Sequence, residues 1–138
     1  MPRVLGVDLG TVRVGLAVSD PDGIVARPLE VIEGPRDFAS AVAERARDLE
    51  VSEIVVGIPL RLNGEHGPEA AAAEEFARRL EESTAIPVRR WDERLSTVEA
   101  QRSMRAAGHD ARTQRGVVDK VAAALVLGAY LESRRPSS

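Results

Sequence analysis

The stretch Val4-Leu5-Gly6-Val7-Asp8-Leu9-Gly10-Thr11-Val12-Arg13-Val14-Gly15-Leu16-Ala17-Val18-Ser19-Asp20 decides the fold of this 138-residue chain. Val4 to Val7 is a short apolar run. After it, Val12, Val14, Leu16 and Val18 alternate with Arg13, Gly15, Ala17 and Ser19, the period of two expected of a half-buried strand. Gly10-Thr11 between the two runs is short enough for a hairpin turn. Asp20-Pro21-Asp22-Gly23 signals a second turn, and Ile24 to Ile32 supplies a third strand. Three antiparallel strands therefore open the chain.

Beyond them the period lengthens. Phe38, Ala41, Val42, Ala46 and Leu49 fall at helical spacing behind a cap at or beside Asp37. Glu53 to Gly57 reads as a buried strand, and a loop rich in turn residues runs from Ile58 to Pro68. Glu69 to Glu82 consists largely of the helix formers Ala, Glu and Arg. Ile86 to Trp91 is a fifth strand. Ser96-Thr97-Val98-Glu99 is a capping box that starts a helix ending near Ala107-Gly108. Asp110 to Arg115 is expected to be a polar, mobile connection, followed by a last helix from about Gly116 to Glu132. The resulting order, β-β-β-α-β-α-β-α-α, gives an α/β fold. Its five-stranded mixed sheet, three antiparallel strands and then two parallel ones, is flanked by helices. One domain over residues 1–138 is expected, with a frayed tail from about 133.

Composition narrows the chemistry. No apolar run approaches the roughly 20 residues of a membrane span, and Asp8 stands where a signal peptide would continue its apolar core, so a cytoplasmic protein is expected. The chain has no cysteine and two histidines, which excludes disulfides, thiolate zinc sites and cysteine nucleophiles. A metal would have to be held by oxygen, which favours a hard ion such as Mg2+ or Mn2+. The net charge of −3 is unevenly spread: residues 1–88 carry nine Arg against sixteen acids, whereas residues 89–115 carry seven Arg against four acids. A basic stretch on an acidic chain suits a phosphate backbone, although a solvated helix face has the same composition.

Three acid positions stand out. Asp is depleted in strands and costly to bury, yet Asp8 ends the expected central strand. Asp92-Glu93 directly follows the fifth strand, and Asp119 stands in the first turn of an otherwise apolar helix. Each has a local explanation: a turn cap for Gly10-Thr11 at Asp8, and acids placed favourably at helix N-termini in the other two cases. Together they point further. Two acids lie at carboxyl ends of strands, where α/β folds place their sites. The small residues Ala122 and Ala123, on the Asp119 face, would let the last helix approach the sheet closely. Converging carboxylates repel one another unless a cation lies between them.

Four segments carry a family resemblance. Gly6 to Asp20 resembles the opening motif of the YqgF/RuvX family, and Val56-Gly57-Ile58-Pro59-Leu60-Arg61-Leu62-Asn63-Gly64 its second motif. Asp92-Glu93-Arg94-Leu95-Ser96-Thr97 is similar to the third and Asp119-Lys120-Val121-Ala122-Ala123-Ala124-Leu125 to the fourth. The match spans residues 4–131 in the right order. It implies a ribonuclease H-like fold and a hydrolase that cuts phosphodiester bonds. The family's proteins are described as nucleases maturing precursor 16S ribosomal RNA and as Holliday junction resolvases.

The resemblance further implies that Asp8, Glu93 and Asp119 are the catalytic, metal-binding acids, and it leaves the role of Asp92 open. Two ions could supply the attacking hydroxide and the phosphate neutralisation without a histidine base, with Asp8 shared between them because it lies at the centre of the sheet. Arg13, Asn63, Arg94, Arg112 and Arg115 are the candidate substrate contacts. For Arg13, a salt bridge on an outward-facing strand position is an equal alternative. The loop from Pro59 to Gly67 reads either as a strand guide or as a plain connection, and Trp91 as core or as a stacking surface. The expected partner is nucleic acid, precursor ribosomal RNA ahead of branched DNA, with no membrane, bound by a monomer or a homodimer. Two other readings compete. Asp8-Leu9-Gly10-Thr11 also resembles the phosphate turn of actin-like and sugar-kinase ATPases, which need a second lobe. A ribosome-assembly scaffold that binds without cutting is the other.

Overall fold

The computed structural model describes residues 3–95 and 111–134, with residues 111–119 described as backbone only. Strands β1 (Val4–Leu9), β2 (Arg13–Ser19) and β3 (Ala26–Glu33) come first. They are followed by α1 (Phe38–Asp48), β4 (Glu53–Ile58), α2 (Pro68–Ser83) and β5 (Val88–Asp92). A short 3-10 turn, Glu93–Leu95, and helix α3 (Ala111–Ser133) complete the described elements. The sheet order is β3-β2-β1-β4-β5. β1 pairs antiparallel with β2 and parallel with β4, so the expected mixed sheet is the observed one, with β1 at its centre.

Strand parity builds the two layers. Leu5 and Val7 of β1, Val14, Leu16 and Val18 of β2, and Ile54 and Val56 of β4 pack under α1 and α2. Val4, Ala17 and Val55 face the other way, against Ala122, Ala123, Val126, Leu127 and Leu131 of α3. The central strands are thus buried on both faces, as strands covered by helices on each side must be. Gly6 sets the spacing on the α3 side: a Cβ there would lie 2.7 Å from Leu127 Cβ and 3.0 Å from the Ala123 carbonyl oxygen. Only a glycine lets the helix sit this low on β1.

Local chemistry fixes the joints. The Gly10 N–H donates to the Arg13 carbonyl (2.8 Å), closing the β1–β2 turn. Asp20 Oδ1 accepts the N–H groups of Ile24 (2.7 Å) and Val25 (3.0 Å). This turn holds both apolar residues about half exposed and delays β3 to Ala26, two residues later than the alternation suggested. Asp37 caps α1 through the Ser40 N–H (3.3 Å). Pro68 opens α2, where its missing N–H costs nothing. Strand β5 begins at Val88 rather than Ile86, because the preceding Pro87 contributes only its carbonyl, to the Ile54 N–H (2.9 Å).

The last helix departs most from expectation. Ala111 to Arg115 is helical, not a mobile connection, so α3 starts five residues before Gly116. The strong propensities of Ala, Arg and Gln outweigh the single glycine. Asp119 is therefore the ninth residue of the helix instead of a first-turn residue. A dipole effect confined to the first turn does not account for an acid at that position. The expected capping box at Ser96–Glu99, its helix to Gly108 and the tail beyond residue 134 lie outside the described residues.

Candidate active site

Asp8 is fully buried, inside β1 rather than beyond its end, and pairs across the ladder with Gly15. Alternation from Gly6, which lies under Ala123, turns the Asp8 side chain to the α3 face. The parallel register Val7↔Val56, carried one residue further, puts Gly57 beside Asp8 on the neighbouring strand. Gly57 also faces α3, since a Cβ added to it would meet Val126 Cγ2 at 3.0 Å. The same imaginary Cβ would lie 2.9 Å from Glu93 Oε2 and 3.1 Å from Glu93 Cγ. The notch left by Gly57 is thus filled by the Glu93 side chain, which is itself buried. Two acids distant in sequence occupy adjacent positions on one face of the sheet, beneath α3.

Asp92 goes the other way. Within β5, Trp91 pairs with Gly57 and Asp92 with Ile58. Trp91 therefore shares the α3 face and Asp92 the α2 face. Trp91 meets Tyr130 edge-on at 5.8 Å between centroids and packs against the α3-side core, which favours its reading as core. Asp92 accepts the Arg94 backbone N–H at 2.9 Å and pairs with the Arg94 guanidinium (2.6 Å). That guanidinium holds the Asp92 carboxyl below its ordinary pKa.

The position of the third acid follows from helix geometry. Asp119 is four residues before Ala123, which lies over Gly6, and seven before Val126, which lies over Gly57. Positions separated by four and seven residues share a helix face. Among the described residues no cluster of three His, Cys, Asp or Glu that could hold a metal occurs. The Asp119 side chain is not among them.

The candidate substrate contacts have distinct surroundings. Arg13 Nε lies 3.3 Å from Glu33 Oε1, the ion pair of its alternative reading, on the same sheet face as Asp8. Asn63 Oδ1 accepts the Glu65 N–H (3.0 Å) within a turn closed by Gly64 at φ +87°. Arg94 pairs with Asp92 and also donates to the Leu62 carbonyl (3.3 Å). Arg112 and Arg115 lie in the first two turns of α3. The basic stretch is partly neutralised from within: Arg89 pairs with Glu53, and Arg90 with Glu74 and Glu81. A cleft of about 850 Å³ opens beside the β1–β2 turn, between Val12, Phe38, Pro59 and Pro68 on the α1/α2 side.

Sequence reasoning missed the part played by Gly57. Its signal was a glycine inside an otherwise β-branched strand, which marks close approach of another group.

The sheet order β3-β2-β1-β4-β5, with helices on both faces, is a ribonuclease H-like fold. The chain aligns over 97% of its length with 96% of a Thermus thermophilus RuvC solved with Holliday junction substrate, at a TM-score of 0.57 and 17% identity, a likeness of fold. The model of the RuvX family, described as Holliday junction resolvase, matches residues 2–133, and the chain belongs to that family. A relative from Anaeromyxobacter dehalogenans (strain 2CP-C) is 48% identical over 136 residues, covering 97% of this chain and 99% of its own length. One from Clavibacter michiganensis subsp. michiganensis is 47% identical, covering 95% and 83%. Both are named "Putative pre-16S rRNA nuclease".

Proposed function

We propose that this protein is a metal-dependent nuclease that hydrolyses phosphodiester bonds, acting in the cytoplasm on precursor 16S ribosomal RNA, as the names of its relatives suggest. The observation that carries this reading is the adjacency of Asp8 and Glu93, both buried, on the sheet face that α3 covers through Ala123, Val126 and Leu127. Two buried carboxylates on one face offer the oxygen ligands that suit a hard divalent cation. Asp8, Glu93 and Asp119 would hold Mg2+ or Mn2+. Bound ions of this kind supply an activated water and neutralise charge on the phosphate.

The chain's own contribution is placement. Asp8 is fixed by the central strand, Glu93 by the Gly57 notch, and position 119 by the packing of Ala123 and Leu127 onto Gly6. The covered sheet excludes water from one side of the acids. Arg13, on the same sheet face as Asp8, is a phosphate contact in this reading, and Asn63, Arg112 and Arg115 are further candidate contacts. Backbone contacts of this sort position a nucleic acid without reading its bases.

The test is cleavage of RNA carrying the 16S precursor 5′ end, beside a four-way DNA junction, with Mg2+ or Mn2+. Wild type is expected to cut the RNA to 5′-phosphate and 3′-hydroxyl ends. Asp8→Asn, Glu93→Gln and Asp119→Asn are each expected to lose roughly 10³-fold or more, equivalent to several kcal/mol of transition-state stabilisation. Activity surviving in Asp8→Asn would refute the assignment. Preferential and paired cutting of the junction would favour the family model's own description, and with it a homodimer with two sites.

A further inference from the structure

We propose that the Asp92–Arg94 pair, tied to the Leu62 carbonyl, is a positioning device that holds Glu93 in the Gly57 notch. The inference rests on the reading above, in which Glu93 binds a divalent cation. Strand parity alone sends Glu93 to the α3 face, but two residues beyond Trp91, the residue that pairs with Gly57. For the Glu93 side chain to fill the Gly57 notch, the chain has to leave the extended conformation immediately after Asp92, where the 3-10 turn begins.

Asp92 Oδ1 accepts the Arg94 N–H at 2.9 Å, which bends the backbone around Glu93. The Arg94 guanidinium then closes back on the same carboxylate, with Nε 3.0 Å and Nη2 2.6 Å from Oδ2. Its remaining nitrogen, Nη1, donates to the Leu62 carbonyl at 3.3 Å. Leu62 belongs to a braced turn: the Gly64 N–H donates to the Arg61 carbonyl (2.8 Å) and the Arg61 N–H to the Glu65 carbonyl (3.0 Å). Arg61 in turn packs on Gly67, where a Cβ would lie 2.7 Å from its Nε. A continuous path therefore runs from the start of α2, through the loop and Arg94, to the residues on either side of Glu93.

The charges are oriented for this work. A bidentate guanidinium–carboxylate pair fixes geometry as well as attracting. The side chains of Arg94 and Asp92 are one-third and one-fifth exposed, where ion pairs add little to global stability. Their effect falls on where Glu93 sits. In this account Arg94 acts through Glu93 and leaves phosphate contact to other arginines.

The test compares Asp92→Ala, Asp92→Asn, Arg94→Ala and a control on the same strand, Arg90→Ala, whose guanidinium pairs with Glu74 and Glu81 instead of Asp92, with Mn2+ as the probe. Calorimetry without nucleic acid is expected to show Mn2+ affinity falling roughly 10–100-fold in Asp92→Ala and Arg94→Ala, as for other groups that orient a metal ligand. Asp92→Asn keeps the Oδ1 acceptor and should fall between. Cleavage at limiting Mn2+ should lose kcat with KM within about twofold, and excess Mn2+ should restore it. The 13C resonance of the Glu93 carboxylate, read without metal, should move in both alanine variants and stay put in Arg90→Ala. The proposal is overturned if Arg94→Ala instead raises KM and lowers the salt dependence of binding while Mn2+ affinity is unchanged. A wild type that neither binds Mn2+ nor cuts would sink the functional reading alone. The positioning claim would then stand or fall on the Glu93 resonance, and one unmoved in both alanine variants would refute it.

Discussion

Gly57 and Gly6 both lie under α3, and what each would meet separates function from stability. A methyl on Gly57 would press on the carboxylate end of Glu93 and on one methyl of Val126. Glu93 can swing away, so Gly57→Ala should cost only about 1 kcal/mol, at the low end for overpacking. Because the displaced group is the proposed ligand, Mn2+ affinity should drop at least tenfold, read by calorimetry beside a thermal melt. A methyl on Gly6 would meet Leu127 Cβ and the Ala123 backbone, neither of which can rotate out of the way. Gly6→Ala should therefore cost about 3 kcal/mol. Equal losses of stability in the two variants would contradict this account of the notch. Neither contact was legible in the sequence, because each joins residues far apart along the chain. Asp8 was legible as an exception, since a carboxylate amid Leu5, Val7 and Leu9 violates strand composition. The role of Asp92 was not. It depends on which face the last residue of β5 takes, and the apolar run alone ended that strand at Trp91.

Among the elements, α3 carries the third acid and is clamped at its far end. Glu53 is buried on β4 and receives the Tyr130 hydroxyl at 3.0 Å, with Arg89 at 3.5 Å and Arg134 also paired to it. Arg134 additionally lies over the Tyr130 ring, 5.4 Å from its centroid. Burial, and then the hydrogen bond to Glu53, raises the Tyr130 pKa. A raised folded value means that this contribution to stability is present below the ordinary tyrosine range and lost as pH rises through it. Tyr130→Phe should cost about 1 kcal/mol in chemical denaturation and flatten the loss of stability above about pH 10. An unchanged alkaline limb would count against the clamp. The clamp was invisible from the sequence because Glu53 looked like an ordinary strand-leading acid. The start of α3 was misjudged for a different reason: Gly116 and Thr113 dilute the pattern locally, whereas propensity summed from Ala111 onward favours helix.

At the scale of the molecule, the hairpin, the two crossovers and the mixed sheet with β1 at its centre were legible because periods of two and 3.6 mark the strands and helices along most of the chain. Acid stability is a property of the whole. Backbone N–H groups of Val25 and Ile24 hold Asp20 below its ordinary pKa, and the Ser40 hydroxyl and N–H do the same for Asp37. Arg94 does so for Asp92. Depressed folded values favour the fold above the ordinary carboxylate value near 4 and lose that advantage as pH falls through them. Denaturation midpoints should accordingly hold from pH 7 to 5 and fall below about pH 4, less steeply in Asp37→Asn. A midpoint that is flat to pH 2 would contradict this assignment. The arginines divide likewise: Arg89, Arg90 and Arg94 are committed to internal acids. The salt dependence of nucleic-acid binding should therefore reflect the remainder of the basic stretch, not all of it.

The most direct test of the central claim is a crystal soaked in Mn2+ and measured for anomalous scattering. The account predicts Mn2+ density contacted by carboxylate oxygens of Asp8, Glu93 and Asp119 on the α3 face of the sheet. Mn2+ bound only elsewhere, or an Asp119 carboxylate directed away from Asp8 and Glu93 with metal present, would contradict it.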